Sequence, residues 1–142
     1  MTPQPFDAST RSLWFVSATV QGGFPSPAED FYQPRVDLNT LLIRQPEATF
    51  FMRIRGTSMR DMGIDDGDYV IIDRSLTPKH GNLVVAIIDN EFTLKQLYQK
   101  HNRLQLLSAN PDFAPIELKD QQQLHIWGVV TWTFKKHHHV LP

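Results

Sequence analysis

From Thr49 to Phe134 the chain is a succession of short apolar or alternating stretches, each of strand length. Tyr69–Ile72 and Leu83–Ile88 are continuous apolar runs, the pattern expected of strands covered on both faces. Phe50–Arg55 alternates apolar and polar residues from Phe51 onward, although Phe50 breaks the strict period. Glu91–Tyr98, Leu104–Leu107 and Leu124–Phe134 also read as strands. Asp66-Gly67 and Asp89-Asn90 mark turns, the second a hairpin. These lengths and spacings predict a mostly β fold, a small antiparallel β domain.

The first 45 residues carry little regular pattern. Pro3, Pro5, Pro25, Pro27 and Pro34 interrupt any long helix or central strand. Gly22-Gly23-Phe24-Pro25-Ser26-Pro27 reads as an exposed extended or turning segment, because Gly-Gly is permissive and each proline biases its predecessor away from helix. Near Asp37 a short helix is expected, with Asp37 as its cap and Leu38, Leu41 and Leu42 on one face. The organisation expected is a flexible N-terminal arm over 1–45, a β domain over 46–136 and a His-rich tail over 137–142.

Composition narrows the function. The chain has 142 residues, 41% hydrophobic and 20% charged, enough for one compact core. With no cysteine it has no disulfide scaffold, thiolate metal site or cysteine nucleophile. Lacking cysteine, the chain gains nothing from an oxidising compartment, so the cytoplasm is the expected location; no apolar run reaches the length of a membrane span, and no basic-then-apolar leader opens the sequence. The formal net charge of −1 argues against direct, sequence-specific DNA binding. A role in nucleic-acid metabolism would then run through protein partners.

Ser58 lies in Gly56-Thr57-Ser58-Met59, directly after a predicted strand. A serine at such a corner can point its hydroxyl outward, and the free N–H groups of a following helical turn can stabilise an oxyanion. With Asp61 three residues on, however, the same serine also reads as an ordinary helix N-cap. Lys95 lies in Glu91-Phe92-Thr93-Leu94-Lys95-Gln96-Leu97, a strand with Phe92, Leu94 and Tyr98 on one face and Thr93, Lys95 and Leu97 on the other. On an open face that lysine is simply solvated. In an apolar cleft, burial would lower its pKa and let the neutral amine accept a serine proton. No spacing rule links residues 58 and 95. His80, His101 or His125 could instead complete a Ser–His–Asp triad, and nothing in the pattern favours one of them. His137-His138-His139 reads as a solvated tail. Asp61, Asp65, Asp66 and Asp68 lack the ligand order of a calcium loop and fit turn chemistry better. No phosphate-cradling glycine motif is present.

At these residues the sequence resembles the catalytic domain of the LexA/UmuD family of self-cleaving Ser–Lys peptidases. Three features carry the likeness in order: Gly-x-Ser-Met followed by Gly-Ile-x-Asp-Gly-Asp, an apolar strand ending at Asp73-Arg74, and Glu-Phe-Thr-Leu-Lys at 91–95. The segments Gly23–Ala28, Asp37–Ile43, Asn110-Pro111, Pro115-Ile116 and Gly128–Val130 extend it to roughly residues 20–131 and towards the UmuD-like branch. The resemblance implies Ser58 as nucleophile, Lys95 as general base and Gly22–Gly23 as the bond cut in the protein's own arm, with no cofactor. The family normally carries Ala or Cys before that bond, where this chain has Gly22.

The resemblance also implies a homodimer and cleavage stimulated by a RecA filament on single-stranded DNA. The shortened form would then join a UmuC-type Y-family polymerase in error-prone translesion synthesis. The 22 residues before the proposed bond are too few for the DNA-binding domain that LexA repressors carry. Two other readings stand beside this one: a non-cleaving polymerase-binding module with a vestigial dyad, and a Ser–Lys signal peptidase, which the missing membrane span disfavours.

Overall fold

The computed structural model of the chain describes residues 4–5, 12–16, 20, 22–23, 32–118 and 124–138. In chain order the strands are β1 (Gln4–Pro5), β2 (Ser12–Val16), β3 (Tyr32–Asp37), β4 (Thr49–Arg53), β5 (Tyr69–Asp73), β6 (Leu83–Ile88), β7 (Glu91–Lys100), β8 (Arg103–Leu107), β9 (Ile116–Glu117) and β10 (Leu124–Phe134). A short helix, α1 (Leu38–Leu42), follows β3. Residues 7–44 form one compact unit; residues 1–6 with 45–142 form the other.

The larger unit holds an eight-stranded antiparallel sheet in the order β1-β4-β5-β10-β6-β7-β8-β9. The continuous apolar runs sit at its centre and are buried on both faces, as their composition predicts. Val84 and Ala86 of β6 pack with Leu97, Leu106 and Val129 on one side. Val85, between them, packs with Val70 and Ile72 on the other. β10 lies between β5 and β6 and slips register beside each, between Val130 and Trp132 and between Ile126 and Gly128. A glycine is needed at 128 because a Cβ there would sit 2.5 Å from Ile72 Cγ2.

The hairpin at Asp89-Asn90 forms with both residues at positive φ, 50° and 66°, the geometry of a tight hairpin turn. A second turn of the same kind, His101-Asn102 at 53° and 59°, joins β7 to β8. The sequence carries no glycine there to announce it.

The smaller unit contains a two-stranded sheet of β2 and β3, followed by α1. Asp37 caps α1 as expected, its carboxylate accepting the Asn39 N–H at 2.9 Å. The strands themselves correct the reading of residues 1–45 as lacking regular pattern. Pro34 sits inside β3 and Pro5 inside β1. Both strands are sheet edges, where an absent N–H leaves no ladder bond unmade. Prolines rule out central strands, and these are not central. Gly22 and Gly23 form an exposed bend in this unit. Phe24–Ala28 lie outside the described residues.

Candidate active site

The chain leaves β4 through Ile54, whose N–H donates to the Asp68 carbonyl at 2.7 Å and whose carbonyl accepts from Gly67 N at 2.8 Å. It then turns at Gly56, at φ 99°, where the Asp66 carboxylate accepts the Gly56 N–H at 2.7 Å. Ser58 follows, half-buried, and Met59 anchors the corner at 2% exposure. Beyond it lies a single 3-10 turn, Arg60–Met62, ending at Gly63 in the left-handed region.

This turn corrects the N-cap reading of Ser58. The capping position is Met59, with no side-chain cap. Among the described residues the Ser58 hydroxyl makes no hydrogen bond. The corner is instead held through main chain. Ala109 N–H donates to the Ser58 carbonyl at 2.8 Å, and Asp61 N–H donates to the Ala109 carbonyl at 2.7 Å. The Thr57 carbonyl accepts from Arg60 N–H at 3.2 Å and from the buried Asn110 amide at 2.9 Å. The serine backbone is thereby fixed while its hydroxyl stays uncommitted.

Lys95 reaches the site from β7, opposite Val84 of β6. It is 7% exposed, and among the described residues no carboxylate pairs with it. Its Nζ lies 5.7 Å from the centre of the Phe113 ring. Burial lowers its pKa from the ordinary lysine value. The β7–β8 register pairs Gln96 with Leu107 and Leu97 with Leu106. The pairing ends there: Lys95 is the residue before Gln96 on β7, and Ser108 is the first residue after β8. The next residue, Ala109, holds Ser58. One short stretch, 108–110, thus links the serine corner to the lysine strand.

Two concavities meet at Phe92 and Thr93 of β7. One, of about 220 Å³, is lined by Ser58, Gly56, Arg53, Arg55 and Leu94 among others. The second, of about 350 Å³, is lined by Lys95, Ser108, Phe113, Asp89 and Glu91 among others. Neither has a histidine in its lining. His80 Nδ1 instead accepts the Gln99 N–H at 3.0 Å, His101 occupies a hairpin turn, and His125 is exposed on β10. His137 and His138 are exposed, and His139 lies outside the described residues.

The acidic residues each serve a local structural contact. Asp66 holds Gly56; Asp61 pairs with Arg60 at 3.4 Å; Asp65 and Asp68 both meet Lys135, at 2.7 and 2.6 Å. Burial alone would raise the Asp68 pKa, but the Asp65 N–H and Lys135 outweigh it and hold the carboxyl below its usual range. No helix among the described residues is long and apolar enough to cross a membrane.

Sequence reasoning missed Ser108 and Phe113, and took Asn110 only as part of the family likeness, without a place at the site. Their connection to the site is a matter of strand register and is visible only once β7 and β8 are paired.

The family model described as Peptidase S24-like matches residues 15–131. The chain belongs to the S24-like peptidase family. It is 42% identical to protein MucA of Salmonella typhimurium over 128 residues, 89% of this chain and 87% of that one. Protein ImpA of Shigella flexneri is 42% identical over 130 residues, 91% of this chain and 86% of the relative. The LexA repressor of Syntrophotalea carbinolica is 44% identical over 81 residues, 57% of this chain and 40% of the repressor. The family match runs through Gly22-Gly23, Ser58 and Lys95 alike.

Proposed function

We propose that this S24-like peptidase cuts its own Gly22–Gly23 bond, with Ser58 as nucleophile and Lys95 as general base. The observation that carries the reading is the Lys95 amine, buried without a carboxylate on the strand whose neighbour segment holds Ser58. Burial favours the neutral amine, which is the form able to accept a proton. The uncommitted Ser58 hydroxyl supplies that proton.

In the reaction, neutral Lys95 takes the Ser58 proton as Oγ attacks the Gly22 carbonyl carbon. The N–H groups of Ser58 and Met59, without acceptors among the described residues, are suited to bind the oxyanion. As the intermediate collapses, the Lys95 ammonium returns the proton to the Gly23 nitrogen, the peptide bond breaks and Gly22 remains as an ester on Ser58. Water, deprotonated by the same amine, hydrolyses that ester. No cofactor enters any step.

The resemblance to UmuD-like proteins extends the proposal to biology. The protein acts as a homodimer, a RecA filament on single-stranded DNA promotes docking of the arm, and the shortened form serves a UmuC-type polymerase in SOS mutagenesis. The cytoplasm is the matching location. A non-cleaving polymerase-binding module remains the alternative. Mass measurement after mildly alkaline incubation separates the two: a product beginning at Gly23 supports self-cleavage, and a chain that stays intact supports the module.

A further inference from the structure

Ser108 carries a buried hydroxyl with no hydrogen-bond partner among the described residues. Such groups are few in folded proteins, because a buried hydroxyl without a partner loses its hydrogen bonds to water and gains none in return. An alanine at this position would avoid that cost. Ser108 lines the same concavity as Lys95. Ser108 directly follows Leu107, the partner of Gln96, and Lys95 directly precedes Gln96, so each lies one residue beyond the last β7–β8 pair.

We propose that Ser108 is the positioning residue of the Lys95 amine: its Oγ accepts one amine N–H and so fixes where the remaining valences point. This rests on reading Lys95 as the general base. A neutral amine has two N–H donors and one lone pair, and a free terminal C–N bond lets that lone pair sweep a cone. Holding one N–H against Ser108 limits the sweep and leaves the lone pair for the Ser58 proton. The lysine stem has four rotatable carbon–carbon bonds and a terminal carbon–nitrogen bond, which let the amine turn toward the hydroxyl. Ser108 is suited to coordinate the two catalytic groups because the next residue, Ala109, holds the Ser58 carbonyl.

Other charged groups near the amine do not replace this contact. Asp89 and Glu91 line the rim of the concavity, and neither pairs with Lys95. Val84, opposite Lys95 on β6, is apolar, as is Phe113 over the amine; Asp112 beside Phe113 is exposed.

The test is the pH–rate profile of self-cleavage in the full chain for wild type, Ser108→Ala and Ser108→Thr, with Ser58→Ala and Lys95→Ala alongside. In Ser108→Ala the plateau rate falls about tenfold, the worth of one hydrogen bond to a catalytic group. The midpoint of the profile moves to lower pH, since the ammonium loses an acceptor. The melting temperature holds or rises. Ser108→Thr restores both plateau and midpoint. A Ser108→Ala profile that overlays wild type, beside inactive Ser58→Ala and Lys95→Ala, overturns the Ser108 assignment and leaves the dyad standing. A reduced plateau with an unmoved midpoint and a lowered melting temperature makes Ser108 a packing residue and also overturns it. Undiminished cleavage in Lys95→Ala removes the dyad, and the role of Ser108 with it.

Discussion

Ala109 donates its backbone N–H to the Ser58 carbonyl at 2.8 Å, two residues beyond Leu107, which pairs with Gln96 next to Lys95 on β7. A main-chain hydrogen bond therefore ties the serine corner to the segment that continues β8, the strand beside that of the lysine. Side-chain truncation at Ser58 or Lys95 leaves this main-chain frame in place, which makes the proposed chemistry separable from the fold.

Ser58→Ala should abolish arm removal and leave stability unchanged. The serine hydroxyl neither caps the Arg60–Met62 turn nor bonds another described residue, so the loss of about 1 kcal/mol typical of a missing cap is not expected. Intact-mass analysis and a thermal melt check the two halves together. Continued cleavage in the variant would exclude Ser58 as nucleophile.

Lys95→Arg should be inactive although it keeps the positive charge, because a guanidinium stays protonated at any usable pH. Lys95→Met, also inactive, should melt above wild type at neutral pH. The sign follows from burial: the folded chain lowers the Lys95 pKa, so between that value and the unfolded value of about 10.4 the unfolded state binds more protons. Wild-type stability then rises with pH across that window, and the advantage of Met narrows until it is lost near the unfolded pKa. Melting curves from neutral to strongly alkaline pH read this directly; a gap that does not narrow would mean Lys95 is solvated.

Gly128→Ala should destabilise the chain by about 1–3 kcal/mol, the usual range for overpacking. Its Cβ would meet Ile72 Cγ2 at 2.5 Å and Arg74 Cγ at 3.3 Å, where β10 slips between its neighbours. Denaturant unfolding measures the change. A variant as stable as wild type would mean the sheet relaxes there at little cost.

Gly22→Ala should cleave at the wild-type rate or faster. Nothing lies within 4 Å of a Cβ built at Gly22, and the added methyl reduces the entropy lost when the arm is ordered. Mass analysis of the product gives the cut site. Loss of cleavage would place the scissile bond elsewhere in residues 20–28.

The central sheet was legible because burial on both faces leaves a plain signature: Tyr69–Ile72 and Leu83–Ile88 have no polar residue to obscure it. α1 was legible through its Asp37 cap. β1 and β3 were hidden by the prolines they contain, which edge position tolerates. The His101-Asn102 turn lacks the glycine that usually marks such a hairpin.

At the site, local sequence left Ser58 as a cap and Lys95 as a solvated lysine; the family resemblance singled them out, and neither exposed the burial of the amine. Nor could they expose the roles of Ser108, Asn110 and Phe113. Those depend on which residues a sheet sets side by side, and one register step would have put a different side chain beside the lysine.

The central claim, a lysine acting as base on a serine of the same protein, is tested most directly by the self-cleavage rate of purified protein without activator from about pH 6 to pH 10, a range bracketing histidine and lowered lysine pKa values. The account predicts a rate that climbs from neutral into alkaline pH, up to tenfold per unit until the Lys95 pKa is passed, and no cleavage in Lys95→Ala at any pH. A rate already level at pH 7, with Lys95→Ala cleaving as wild type does, would contradict it and point to a histidine base.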